Sequence, residues 1–179
     1  MLYPGNPVPN LVVETVQHGS FDLSQNNGAN GIVLIFYRGL HCPLCIRQMT
    51  ELDAKLDRFT DLGVEVLMIS TDGADRAAET VNKAGASKVK VGYGLDLIAA
   101  RDDWGLWMSS RRAGTSEPDY FNEPGHFYVS PQHVLHFGWV QTAPFARPQL
   151  DDISGAVKFA LDNSYPPRGI YKGRLPGET

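Results

Sequence analysis

The sequence predicts an α/β fold in which a mixed β-sheet lies between layers of helices. Residues 32–37 are apolar at every position, which is typical of a parallel strand covered on both faces. A helix is predicted from Pro43, because apolar residues then recur every three or four positions, and residues 64–70 form the next strand. These elements make a βαβ unit, whose crossover is expected to be right-handed.

Helices and strands are predicted to alternate along the rest of the chain, after an N-terminal β-hairpin extension formed by residues 11–16 and 21–23. The remaining elements are, in chain order, a helix from a cap at Asp72 to near Gly85, a weak strand at 89–93, a short helix at 96–104, a long loop at 105–123, a hairpin of strands 127–130 and 134–140, and a helix marked by Leu150, Ile153, Val157 and Leu161. We expect one domain over residues 1–179, with 163–179 as an extended tail.

The composition argues against nucleic acids and membranes as partners. The chain carries 16 basic and 20 acidic residues, a net charge of −4, with no Lys/Arg run longer than two. Nucleic-acid binding needs a concentrated basic surface. The longest apolar run, residues 32–37, is far shorter than the about 20 residues that span a bilayer. Residues 1–5 lack the basic and apolar regions of a signal peptide, so a cytoplasmic location is expected.

The two cysteines of the chain stand where the first buried strand gives way to a helix. Pro43 suits the first helical position, which makes Cys42 the predicted N-cap with its sulfur facing free backbone N–H groups. The helix dipole favours a thiolate there, and a cysteine so placed in a Cys-x-x-Cys pair has its pKa lowered from about 8.5 to roughly 3.5–7.5. Cys45 lies one turn further, within reach of a disulfide formed on Cys42. This arrangement is typical of thiol–disulfide exchange.

Three other roles for the cysteines remain open at this level. A structural disulfide would close a loop too small to remove much entropy from the unfolded chain, and cytosolic disulfides are usually transient. A zinc site would need two more ligands from His41, His126, His133 or His136, and the last two point to opposite faces of a strand. The third alternative is a pair of buried, inert thiols.

Residues 36–45 (FYRGLHCPLC) resemble the FYRGxWCPxC segment of peroxiredoxin-like proteins in the alkyl hydroperoxide reductase/thiol-specific antioxidant (AhpC/TSA) group. Residues 64–70 and 123–129 are similar to two further core strands of this group, and residues 141–148 resemble a less characterised branch of it. The similarity covers most of the chain, and His41 stands where the group usually has tryptophan. The resemblance implies a thioredoxin-like fold.

Several residues that hold the peroxide in true peroxiredoxins are replaced in this sequence. Their peroxidatic cysteine aligns with Cys45, and the threonine of their Pro-x-x-x-Thr-x-x-Cys motif aligns with Cys42. The proline of that motif aligns with Arg38, and their peroxide-binding arginine falls at residues 124–125. Thioredoxins, by contrast, carry a cysteine at the position of the threonine and a cis-proline at that of the arginine. The resemblance therefore implies that Pro124 follows a cis peptide bond and shapes the contact with substrate.

Three charged or ionisable residues near the dithiol are further candidates for the site. His41 precedes the nucleophile and, when protonated, would stabilise its thiolate; as an exposed substitute for tryptophan it would have no such role. Arg38 adds positive potential beside the site, and Arg147 can approach it from a loop between two prolines. As solvated side chains, both arginines would need no role.

The sequence thus predicts a thiol-dependent oxidoreductase in which Cys42 attacks, Cys45 resolves and Pro124 shapes the substrate contact. No metal or organic cofactor is expected. Electrons would come from a thioredoxin- or glutathione-type dithiol donor, and a homodimer is one option for the assembly. Two alternatives stay open: a peroxidase in which a hydroperoxide oxidises Cys45 or Cys42 to a sulfenic acid, and a non-catalytic binding module that docks a partner through residues 105–123 or the tail.

Overall fold

The architecture follows the predicted alternation of strands and helices. The computed structural model describes residues 2–177. The strands are β1 (Val12–Thr15), β2 (Ser20–Asp22), β3 (Ile32–Phe36), β4 (Glu65–Ile69), β5 (Lys90–Tyr93), β6 (Met108–Ser110), β7 (Tyr120–Asn122), β8 (Gly125–Val129) and β9 (Leu135–Val140). The helices are α1 (Pro43–Lys55), α2 (Asp57–Thr60), α3 (Ala74–Ala84), α4 (Leu97–Asp102) and α5 (Leu150–Asp162).

Seven of these strands form one mixed sheet in the order β2-β1-β5-β4-β3-β8-β9. Near its centre, β3 runs parallel to β4 and antiparallel to β8. The predicted N-terminal hairpin, β1 with β2, lies at one edge, and the predicted hairpin of β8 and β9 lies at the other. The prediction of an α/β fold with a mixed central sheet is confirmed.

Strand β3 separates two hydrophobic clusters, one on each face of the sheet. All five of its residues are 0% exposed. Val33 and Ile35 belong to the cluster that contains Met49 of α1. On the other face, Phe36 packs against Trp104 with 5.1 Å between the ring centroids. The prediction that this strand is covered on both faces is confirmed, and the loop that leads from it into α1 therefore starts from a rigid support.

A buried carboxylate holds the loop between β3 and α1. Asp72 accepts the backbone N–H of Leu40 at 2.7 Å and the Nε–H of Arg76 at 2.8 Å. The prediction that Asp72 caps the following helix is wrong, because Gly73 is the N-cap of α3. The carboxylate instead satisfies an N–H group of an irregular loop, where neither a helix nor a sheet provides a partner.

Residues 105–123 are more regular than the predicted long loop. They contain the strands β6 and β7, which pair as a separate antiparallel sheet. Each strand has only three residues, which is too short for a periodic pattern to be recognised. Between the strands, the buried carboxylate of Glu117 accepts hydrogen bonds from the backbone and the guanidinium of Arg112 and so fixes the turn.

The C-terminal part of the described chain, residues 163–177, contains no helix or strand. It contacts the sheet where Nε2 of His136 lies 2.8 Å from the carbonyl oxygen of Tyr165. Met1 and residues 178–179 lie outside the described residues, and the assignment of one domain with a tail stays a prediction. Within the part that the structure describes, no helix is both long enough and apolar enough to cross a membrane.

Gly39 offers a test of the contact between this loop and Asp72. Its φ is +117°, and a Cβ atom there would collide with the Asp72 carboxylate. We expect Gly39→Ala to lower the free energy of unfolding by about 2–4 kcal/mol, from backbone strain and overpacking together.

Gly85→Ala is the matched control, because Gly85 also has a positive φ, 63°, but open space around its Cβ position. That variant should lose only about 1–2 kcal/mol. Urea unfolding curves give both values, and equal losses would contradict a close contact between Gly39 and Asp72.

Candidate active site

The N-terminus of α1 brings the two cysteines together. Cys42 is the N-cap, with an extended backbone (φ −108°, ψ 98°), and its Sγ accepts the backbone N–H of Cys45 at 3.3 Å. Pro43 occupies the first turn, where its missing N–H leaves no donor unsatisfied. The predicted N-cap is confirmed, and it exposes the Cys42 sulfur to the positive end of the helix dipole.

A hydrogen bond joins the two sulfurs directly. The Cys45 thiol donates to Sγ of Cys42, and both cysteines are free. Cys42 is 4% exposed, whereas Cys45 is 0% exposed. A reagent from solvent therefore reaches Cys42 before Cys45.

The environment gives the two thiols opposite acidities. The pKa of Cys42 is lowered to about 6, mainly by the hydrogen bond from the Cys45 thiol, which outweighs burial; the charge and hydrogen bond of Arg147 lower it further. The pKa of Cys45 is raised well above its ordinary value, first by burial and then by its hydrogen bond to Cys42 and the negative charge there. At neutral pH, Cys42 is the thiolate and Cys45 the thiol.

Arg147 brings a positive charge onto both sulfurs. It lies in the segment of residues 141–149 between β9 and α5, and its Nη1 donates to Sγ of Cys45 at 3.2 Å while its Nη2 donates to Sγ of Cys42 at 3.4 Å. The planar fork of a guanidinium can hold two acceptors at once in this way. The prediction that Arg147 approaches the dithiol from a loop between two prolines is confirmed.

Arg38 contributes its backbone, rather than its charge, to the cysteines. Its backbone N–H donates to Sγ of Cys45 at 3.4 Å. Its guanidinium lies 3.6 Å from Glu123 and 3.5 Å from Glu117, and 4.8 Å above the ring of Phe121. The two carboxylates compensate the positive charge, so Arg38 ties the β6–β7 hairpin to the loop that precedes α1.

His41 packs as an apolar ring beside the site. Its ring stands edge-on to Phe121 with 4.5 Å between centroids. Burial lowers the pKa of His41, and the charge of Arg38 lowers it further. Neither ring nitrogen has a hydrogen-bond partner within residues 2–177. A neutral ring that fills the place of the family's tryptophan fits these observations, whereas a protonated His41 supporting the thiolate does not.

The prediction of a cis peptide bond before Pro124 is wrong. No cis peptide bond occurs anywhere in residues 2–177. The N–H of Glu123 donates to the carbonyl of Trp107 at 2.7 Å, and the carbonyl of Pro124 accepts the N–H of Gln141 at 3.2 Å. These bonds carry the chain in extended form from β7 into β8, where a trans proline fits the start of a strand.

Two buried polar residues behind the cysteines were missed as a pair by the sequence analysis. Gln48 lies on α1, where its Oε1 accepts from Nη1 of Arg147 at 3.4 Å and its Nε2 lies 3.0 Å from Nε2 of His126. His126, considered only as a zinc ligand, is fully buried, and burial lowers its pKa to about 3. A histidine in the otherwise apolar run 125–129 was the one available signal.

The Arg147 segment borders two depressions in the surface. One, of about 520 Å³, is lined by Arg147 together with Trp139 and Gln141. The other, of about 100 Å³, is lined by Arg147 together with Leu44 and Gln48. Both lie next to the arginine rather than directly over a sulfur. Across residues 2–177, no group of three His, Cys, Asp or Glu side chains is arranged to hold a metal ion.

Comparison with known proteins identifies the family. The family model described as the AhpC/TSA family matches residues 4–137, which include β3, α1 and both cysteines. The chain belongs to the AhpC/TSA family. It is therefore an oxidoreductase of the peroxiredoxin-like class, as the resemblance of residues 36–45 implied. The match ends before residues 141–149, so Arg147 lies outside it.

Solved structures of peroxiredoxins share the thioredoxin-like fold of this AhpC/TSA chain at low sequence identity. The reduced 2-Cys peroxiredoxin of Plasmodium vivax is 18% identical with a TM-score of 0.72, over 90% of this chain and 98% of that one. A cysteine-to-serine mutant of peroxiredoxin 6 from Arenicola marina is 15% identical with a TM-score of 0.75, over 100% of this chain and 86% of that one. Peroxidoxin BcpB from Mycobacterium tuberculosis is 15% identical with a TM-score of 0.67, over 92% of this chain and 99% of that one. No curated protein matches the sequence.

The acidity of Cys42 leads to a prediction about alkylation of the reduced protein. Because only the thiolate reacts, the rate should rise with pH around a midpoint of about 6 and then level off. Cys45→Ala removes the hydrogen bond that lowers the pKa most, so the midpoint should move up towards the ordinary value of about 8.5. Cys45→Ser keeps an O–H donor and should move it less. An unchanged midpoint in Cys45→Ala would contradict the role given to this hydrogen bond.

Proposed function

We propose that this AhpC/TSA protein is a dithiol oxidoreductase that cycles between the reduced pair Cys42/Cys45 and a Cys42–Cys45 disulfide, exchanging disulfides with its substrate. The observation that carries the proposal is the direct contact of the two sulfurs, in which the Cys45 thiol donates to Sγ of Cys42. The same contact supplies an ionised nucleophile and keeps the resolving thiol within reach of it.

The first step is attack by the Cys42 thiolate on one sulfur of the substrate disulfide. A bond forms between Sγ of Cys42 and that sulfur, the substrate S–S bond breaks, and the other half of the substrate leaves as a thiolate. Arg147, which donates to Sγ of Cys42 at 3.4 Å, keeps positive charge where negative charge is being redistributed.

The second step depends on a change in the acidity of Cys45. Two of the three causes that raise its pKa, the hydrogen bond to Cys42 and the charge of Cys42, disappear once Cys42 is in a mixed disulfide. Arg147 remains 3.2 Å from Sγ of Cys45 and favours its ionisation. Cys45 then gives its proton to the departed thiolate and attacks Sγ of Cys42, which releases the second half of the substrate. One dithiol of the thioredoxin type, or two molecules of a glutathione-type thiol, reverses the sequence: the donor is oxidised to a disulfide and the reduced pair of cysteines is restored.

A specific observation favours a second oxidant, a hydroperoxide. Arg147 touches both sulfurs and can therefore act in place of the missing family arginine at residues 124–125. In this case the Cys42 thiolate attacks one peroxide oxygen, the O–O bond breaks, and the leaving alkoxide or hydroxide takes a proton from water. The Cys42 sulfenic acid then reacts with the Cys45 thiol, and water leaves as the disulfide forms.

The order of attack can be tested by trapping the mixed disulfide. Cys45→Ser removes the resolving thiol, so it should accumulate a covalent adduct on Cys42 after mixing with an excess of a small disulfide. Cys42→Ser leaves only the Cys45 thiol, which is 0% exposed and whose pKa burial still raises, so this variant should gain almost no mass in the same time. Intact-mass spectrometry reads both results. Adducts that form faster on Cys42→Ser would reverse the two assignments.

The role of Arg147 in peroxide reduction gives another prediction. If its guanidinium stabilises the charge that develops on oxygen, Arg147→Ala should lower the second-order rate constant with hydrogen peroxide by about 10²–10³, as for loss of one such donor in other enzymes. Arg47→Ala is the matched control, because Arg47 is an exposed cation on the same helix as the cysteines.

Stopped-flow oxidation of the reduced variants distinguishes the two oxidants. A fast wild-type reaction with peroxide, with a rate constant that falls only in Arg147→Ala, would assign the protein to the peroxidases. A reaction as slow as that of a simple thiolate, together with rapid oxidation by a disulfide, would leave disulfide exchange as its function. An equal loss in Arg47→Ala would show that general positive potential, and not a contact of Arg147, matters.

A further inference from the structure

Arg147 reaches the cysteines from a segment with little regular structure. Residues 141–149 belong to no helix or strand, and Phe145, two positions before the arginine, is 87% exposed. An arginine side chain has many rotamers, and holding its head group at one place costs conformational entropy. A fixed partner is therefore needed to keep the guanidinium on the two sulfurs.

Gln48 is such a partner, because it stands on the same rigid helix as the cysteines. It follows Cys45 by one turn of α1, and its side chain is buried. Its Oε1 accepts from Nη1 of Arg147 at 3.4 Å, and the same Nη1 donates to Sγ of Cys45 at 3.2 Å. One nitrogen of the guanidinium is thus shared between the helix side chain and the sulfur.

The neutral ring of His126 accepts at the other end of the Gln48 amide and so supports the orientation that Arg147 requires. A guanidinium only donates hydrogen bonds, so the oxygen of the amide must face Arg147 and its NH₂ group must face His126. Nε2 of His126, 3.0 Å away, then has to be the acceptor, and the proton of the neutral ring is on Nδ1. A protonated imidazole has no acceptor and would favour the reversed amide, but burial lowers the pKa of His126 to about 3. The ring is fixed by β8, which lies between β3 and β9.

We propose that Gln48, supported by His126, is a positioning residue that holds the Arg147 guanidinium on the sulfurs of Cys42 and Cys45. The inference rests on the proposed function and deepens it. Gln48 touches neither sulfur in this account and acts only through the arginine. Its removal should therefore change the acidity and reactivity of Cys42 in the same direction as removal of Arg147.

The test uses Gln48→Met, which keeps the length and approximate volume of the side chain but makes neither hydrogen bond. The alkylation rate of Cys42 at a pH below its midpoint should fall by roughly five- to tenfold, since a hydrogen bond to a charged group is lost, and the midpoint should move to higher pH. Gln132→Met, at an exposed position of the hairpin turn, is the control and should match wild type.

A second variant is available if Gln48→Met does not fold. Gln48→Asn keeps the amide but is one methylene shorter, so it cannot reach Arg147 and His126 together, and it should give the same shift. Circular dichroism identifies the folded variants, and Gln48→Asn carries the test if Gln48→Met is unfolded. An alkylation midpoint equal to that of wild type in a folded Gln48 variant would overturn the inference.

A double-mutant cycle separates positioning from a structural role. In an Arg147→Met background, Gln48→Met should lower the alkylation rate no further, because the residue through which it acts is already absent. Losses that simply add would show that Gln48 affects the cysteines independently of Arg147 and would overturn the inference. Wild-type protein whose thiol titrates at the ordinary value would instead remove the basis of the proposed function itself, so the two failures are distinguishable.

Discussion

The rest of the site depends on one interaction, the hydrogen bond from the buried Cys45 thiol to the sulfur of Cys42. This hydrogen bond lowers the pKa of Cys42, which favours the negative charge on that residue. A charge in a nearly buried position is stable only when hydrogen bonds and opposite charge replace the lost water. The N-cap geometry supplies the N–H of Cys45, and Arg147 supplies the opposite charge.

The fold brings these groups together from distant parts of the chain. The parallel pair β3–β4 and the helix α1 place the cysteines at the N-terminus of α1. Asp72, which follows β4, holds the loop that leads from β3 into this helix. The strand β8 places His126 behind α1, and the segment after β9 returns Arg147 to the same point. The two cysteines are therefore close together in the sequence, whereas the residues that support their charge are not.

This difference explains how much the sequence could predict. The buried strand, the helix after it and the N-cap role of Cys42 follow from local rules, because an apolar run and a proline in the first turn act over a few residues. The contact of Arg147 depends on the path of an irregular segment, which no periodic pattern encodes. The cis bond expected at Pro124 came from analogy with thioredoxins and failed, because the hydrogen bonds around this residue continue an extended chain from one strand to the next. Gln48 gives no local signal, because its two partners, Arg147 and His126, lie far from it in the sequence.

The assignment of the charge to Cys42 rather than Cys45 is the central claim, and the ultraviolet absorbance of the thiolate tests it most directly. In reduced protein titrated from acid to alkaline pH, a single thiolate should appear around pH 6. Cys45→Ser should retain a thiolate step below the ordinary cysteine value of about 8.5, whereas Cys42→Ser should show none below it. A low-pH step that survives in Cys42→Ser and vanishes in Cys45→Ser would contradict the account, since it would make Cys45 the ionised nucleophile.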